Sequence, residues 1–95
     1  MRLEWSVFAR ADREQIFDYI EAENPRAAAA VDERIRTQTN NLIRFPTIGR
    51  SGRVDGTREL AIAHTPYVAV YTVSDEAIRI LRVLHGARLW PDETP

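Results

Sequence analysis

The periodicity of this chain changes most sharply between Phe45 and Thr57, and that change restricts the fold more than any other feature. Thr47 to Gly56 carries three of the four glycines and no apolar repeat. Before it, apolar residues recur mainly at helical spacing. After it, short apolar runs are separated by turn-forming residues. A chain that is helical first and stranded second belongs to the α+β class.

The first few residues alternate. Leu3, Trp5 and Val7 interleave with Arg2, Glu4 and Ser6, which predicts a short strand with one apolar face. Ser6 can then cap a helix beginning near Phe8. Ala9, Arg13, Ile16, Phe17 and Ile20 form its inward stripe, with Asp12, Glu14, Asp18 and Glu21 toward water. Asn24-Pro25 pairs an N-cap residue with proline at the first helical position. The second helix is expected to reach about Arg44, with Ala28, Val31, Ile35 and Leu42 inward, and Phe45-Pro46 ends it. Two helices with so little chain between them fold back as a hairpin.

Three strands are expected after the glycine-containing loop: Thr57–Ala63, Tyr67–Val73 and Ala77–His85. The short links between them predict an antiparallel meander. The result is β-α-α-β-β-β, a helical hairpin packed on one face of a small, mainly antiparallel sheet whose other face is partly open. With 95 residues, the whole chain is read as a single domain, 1–95.

Composition narrows the chemistry. There is no cysteine, so disulfides and thiolate metal sites are unavailable, as suits a reducing cytoplasm. The start, Met1 to Trp5, lacks a signal-peptide apolar stretch, and no apolar run approaches a membrane span. The chain is therefore expected in the cytoplasm without a membrane partner. All 13 basic residues are arginine, which either reflects codon usage or supplies forked donors for carboxylate and phosphate. Net charge is −1, but residues 46–91 hold six arginines against four acids, pointing weakly to an anionic partner. Two histidines without matching carboxylate spacing predict no metal, and no cofactor motif is present.

Several strings, in order, resemble the RelE/ParE superfamily of bacterial toxins. They are Ala11-Asp12-Arg13-Glu14-Gln15-Ile16-Phe17-Asp18-Tyr19-Ile20, Asn24-Pro25-Arg26-Ala27-Ala28, Phe45-Pro46-Thr47-Ile48-Gly49-Arg50, Arg58-Glu59-Leu60, Thr65-Pro66-Tyr67-Val68 and Leu81 through Arg88. The resemblance implies a type II toxin neutralised by a cognate antitoxin. One branch cleaves messenger RNA on the ribosome; the other, ParE-like, poisons DNA gyrase. Cleaving relatives tend to carry an arginine just after the last strand and a basic residue entering the middle strand. This chain has Gly86 and Tyr67-Val68 there, which places it nearer the ParE-like branch.

Metal-independent RNA cleavage needs a base, a cation for the phosphate and an acid. Among the residues available, His85, Arg58 and Tyr67 are the catalytic candidates for that branch. An imidazole titrates near pH ~6.5 and suits such work, although a strand-end histidine can equally serve to fix the following loop. Arg50, Arg53, Arg58 and Arg88 are candidates for binding an anionic target. Trp90 is a candidate antitoxin anchor. Arg82, on an apolar strand, is expected to face away from His85 and to pair with Glu59. The leading expectation is a toxin that binds gyrase. The alternatives are a ribosome-dependent endoribonuclease, with ribosome and mRNA as partners, and an inactive relative that only binds antitoxin.

Overall fold

The computed structural model describes residues 1–87. Strand β1 (Arg2–Trp5) runs through Ser6 into helix α1 (Val7–Glu21). Helix α2 (Pro25–Asn40) follows and tightens into a 3-10 turn at Asn41–Ile43. Four strands complete the fold: β2 (Arg50–Ser51), β3 (Arg58–Ala61), β4 (Tyr67–Val73) and β5 (Ala77–His85). They form one sheet in the order β1-β5-β4-β3-β2. β1 is parallel to β5, and every other pair is antiparallel. The α+β architecture expected from the sequence is thus observed.

The helix starts follow from their caps. Ser6 is extended (φ −68°, ψ 162°), and its hydroxyl accepts from the Ala9 N–H at 3.0 Å while donating to the Leu81 carbonyl at 2.8 Å. One side chain therefore both opens α1 and ties it to β5. Asn24 accepts from the Ala27 N–H at 3.1 Å with Pro25 beginning the helix.

One core cluster joins the hairpin to the sheet. It contains Ala9 of α1, Ile35 of α2, Leu42, and Tyr67, Ala69, Tyr71, Ile78, Ile80 and Val83 from the two central strands. Val70 and Leu84 lie on the opposite face, yet are only 1% and 7% exposed. That face is more open at its margins, where Ala61 and Arg79 are exposed.

Five expectations are corrected. The Thr47–Gly56 loop contains a short strand, β2, because Arg50 and Ser51 pair with Glu59 and Arg58. Helix geometry in α2 ends at Asn40, and a 3-10 turn continues toward Phe45. β5 does not alternate regularly. Val70 stands opposite Arg82 but Tyr71 opposite Ile80, so Leu81 is the extra residue of a β-bulge. Ile78 and Ile80 before the bulge and Val83 after it all enter the same core, so the inward parity switches. His85 consequently shares a face with the core residues rather than opposing Ile80. Finally, Asp12 does not face water: its side chain is 12% exposed and bound to Arg82.

Candidate functional site

Of the residues singled out in the sequence, Arg58 and His85 lie at opposite ends of the β3–β4 pair. Arg58 stands opposite Tyr71, whereas His85 stands opposite Tyr67. Four residues of strand separate these positions, about 13 Å at the usual rise. Of the three catalytic candidates, His85 and Tyr67 are brought together and Arg58 is not.

At the Arg58 end, the guanidinium donates to the Gly49 carbonyl at 2.8 Å and more weakly to that of Thr47 at 3.4 Å. Beside it, the fully buried Tyr71 donates its hydroxyl to the Pro46 carbonyl at 2.7 Å and accepts from the Gly49 N–H at 3.0 Å. Burial pushes the Tyr71 phenol above its ordinary value of 10.0, although Gly49 and Arg58 act the other way. It remains a neutral donor. These contacts hold the stretch leaving the 3-10 turn, so Arg58 acts as a brace for backbone.

On the far face, Glu59 organises the arginine loop. Its carboxylate accepts from Arg50 Nε at 3.2 Å, from Arg50 Nη2 at 2.9 Å and from the Arg53 N–H at 3.0 Å. Glu59 is 5% exposed. Burial alone would raise its pKa, but the Arg53 N–H, the Arg50 hydrogen bonds and both arginine charges outweigh burial and hold it below 4.5. The sequence suggested Arg82 for this carboxylate. The two-residue strand β2 supplies Arg50 instead, because their register is direct.

Arg82 has a different partner. Its Nε and Nη2 donate to the two Asp12 oxygens at 2.7 and 2.9 Å, and the Val83 N–H donates to Asp12 Oδ2 at 2.9 Å. The helix carboxylate thus clamps both the guanidinium and the backbone immediately after the bulge. A signal for this was present. Asp12 stands three residues after Ala9 and four before Ile16, on the flank of the buried stripe where a charge must find a partner.

Beyond the clamp, the His85 ring lies edge-on to Tyr67, with centroids 5.7 Å apart and planes at 81°. His85 Nδ1 accepts from the Ala87 N–H at 3.1 Å, so the neutral ring carries its proton on Nε2. His85 borders two clefts. One, on the far face, is also lined by Arg50, Arg53, Leu84 and Gly86. The other, between α1 and the strand ends, is also lined by Gln15, Tyr19 and Tyr67. Two roomier clefts, of about 530 and 590 Å³, share none of these residues. The first of them contains the Arg13–Asp32 ion pair, with Arg13 5.0 Å from the Trp5 ring centre. Arg88 and Trp90 lie outside the described residues.

Among the described residues no group of three or more His, Cys, Asp or Glu is placed to hold a metal ion. None of their helices is long and apolar enough to cross a membrane.

The fold and these contacts can be set beside known proteins. Residues 3–90 match the family described as ParE toxin of type II toxin-antitoxin system, parDE. The chain belongs to the ParE toxin family. Its relatives include "Putative toxin Y4kP" of Sinorhizobium fredii, 40% identical over 95% of this chain and 93% of that protein. Another is "Toxin RelE2" of Caulobacter vibrioides, 38% identical over 90% of this chain and 94% of that one. Among solved structures, the chromosomal ParDE system of P. aeruginosa superposes with a TM-score of 0.82 at 30% identity, covering 90% of this chain and 95% of that chain. Every contact described above falls within the segment that matches the ParE family, and so does the bulge in β5.

Proposed function

We propose that this ParE-family toxin arrests growth by binding DNA gyrase and is neutralised by a cognate antitoxin. The observation carrying this reading is the use of Arg58. A nucleolytic site needs a cation beside its acid–base groups. Arg58 instead braces the Gly49 carbonyl, about 13 Å of strand away from His85. The likeness to a ParDE system lends further support, as do the exposed Arg50 and Arg53 on the loop edge, suited to an acidic protein surface. An antitoxin partner is supported by that same relative, a toxin-antitoxin system.

The test is a supercoiling assay with purified toxin and gyrase. Inhibition that reverses on adding antitoxin is the expected result; full supercoiling at a stoichiometric excess of folded toxin overturns the reading. Ribosome-dependent RNA cleavage has one observation in its favour: Arg50 and Arg53 share a cleft with His85. Primer extension on translated messages separates the two, since only a nuclease would give cuts that vanish in His85→Ala.

A further inference from the structure

One nearly buried tyrosine carries a hydroxyl without a hydrogen-bond partner among the described residues. Tyr67 is 9% exposed. Its N–H donates to Thr65 Oγ1 and its carbonyl accepts from the Ile62 N–H, but its phenolic oxygen makes no hydrogen bond to any other described residue. Removing a hydroxyl from water without replacing its hydrogen bonds is unfavourable. Folds keep such groups chiefly where something else completes them.

Tyr67 borders the cleft between α1 and the ends of β4 and β5, which has a volume of about 160 Å³. Its floor includes Ile16 and Val83, and its rim carries Gln15, Tyr19 and His85. Tyr19 is 79% exposed, a large aromatic side chain that the fold itself does not bury. Burial, with Tyr19 nearby as a smaller cause, raises the Tyr67 phenol above its ordinary value. It is therefore a donor at neutral pH. His85 contributes a second donor, Nε2–H, because Nδ1 accepts from the Ala87 N–H. The one carboxylate at the cleft, Asp12, is consumed by Arg82 and the Val83 N–H.

The cleft thus offers hydrogen-bond donors over an apolar floor, with aromatic walls and no arginine in its lining. A nucleic-acid backbone binds through several phosphates at once on a spread of arginine and lysine, which this small cleft without arginine does not supply. The size suits one protein side chain. The group best matched to a set of donors is one that only accepts, a carboxylate.

We propose that this cleft receives an aspartate or glutamate side chain of the antitoxin, with the Tyr67 hydroxyl as donor and the Tyr19 ring covering the inserted segment. The proposal rests on the antitoxin reading above, and it assigns Tyr67 to partner recognition rather than catalysis.

The test is calorimetric titration of the antitoxin encoded beside this gene into full-length wild-type toxin, Tyr67→Phe and Tyr19→Ala. Thermal melts of each variant check folding. Tyr67→Phe keeps the ring and removes only the hydroxyl, and should weaken binding roughly tenfold or more. Changing the antitoxin's acidic residues one at a time to their amides should then reveal one whose loss is non-additive with Tyr67→Phe. Wild-type affinity in a folded Tyr67→Phe, or additivity at every acidic position, would overturn the proposal. Failure of the wild-type toxin to bind antitoxin at all would instead remove the antitoxin reading, and this proposal with it.

Discussion

Gly49 lies so close to Tyr71 that a β-carbon there would come within 2.6 Å of the hydroxyl and 2.8 Å of the ring. The same tyrosine accepts from the Gly49 N–H and donates to the Pro46 carbonyl. The link is what carries the chain from the helical half back to the sheet. Gly49→Ala cannot be relieved by rotating a flexible side chain, because the Glu59 carbonyl stands 2.9 Å away on another side. It should destabilise the fold by about 2–3 kcal/mol. Tyr71→Phe should cost about 1–3 kcal/mol by leaving two buried backbone groups without a partner. Chemical denaturation measures both.

Asp12→Ala removes the carboxylate that binds both the Arg82 guanidinium and the Val83 N–H. Because the pair is partly exposed, the loss should be smaller than for a fully buried ion pair, about 2 kcal/mol. Asp12→Asn retains an acceptor for one donor but not the charge, and should fall between. Proton NMR of the variants should also show the Val83 amide shifted and exchanging faster, since its acceptor comes from α1.

Glu59 predicts a pH dependence. Its pKa is lowered on folding, so its contribution to stability is complete above the unfolded value near 4.5 and is lost as pH falls through the depressed folded value. Wild-type stability should therefore decline below about pH 4.5. In Glu59→Gln that decline should be shallower, and stability at pH 7 lower. Melting curves between pH 3 and 7 decide it. A parallel pH profile for the two proteins would show that other carboxylates dominate.

The arginine loop and His85 can be separated functionally. Arg50→Glu and Arg53→Glu place charge of the opposite sign on the far-face cleft and should reduce gyrase inhibition at least tenfold; the Arg50 variant also loses stability, because it disrupts the Glu59 contact. Arg53 hydrogen-bonds Glu59 through its backbone only, although its charge also favours the Glu59 carboxylate, so its variant should lose less stability than the Arg50 variant, and thermal melts of both separate folding from binding. His85→Ala should leave gyrase inhibition within a fewfold of wild type. Growth arrest on induction and the supercoiling assay are the measurements.

Much of the fold was legible in the chain. Ser6 and Asn24-Pro25 announced both helix starts, since a capping side chain acts on backbone three residues away. The apolar runs after Thr57 marked the three strands of the meander. The site was less legible. Arg82 was visible as a charge needing a partner, but the partner expected was Glu59 on a strand. Asp12, expected to face water, lies on a helix 70 residues away and binds it instead.

What the sequence determined alone is therefore local: where helices begin, which runs are apolar, which segments turn. These follow from interactions between near neighbours. The tertiary structure decided three things that neighbours cannot. It set β1 parallel to β5, placed the bulge at Leu81, and paired Asp12 with Arg82 and Arg50 with Glu59. A single extra residue in one strand reverses every later side chain on it, and nothing local to β5 records whether that residue is present. The face that His85 shares with Tyr67 depends on that choice.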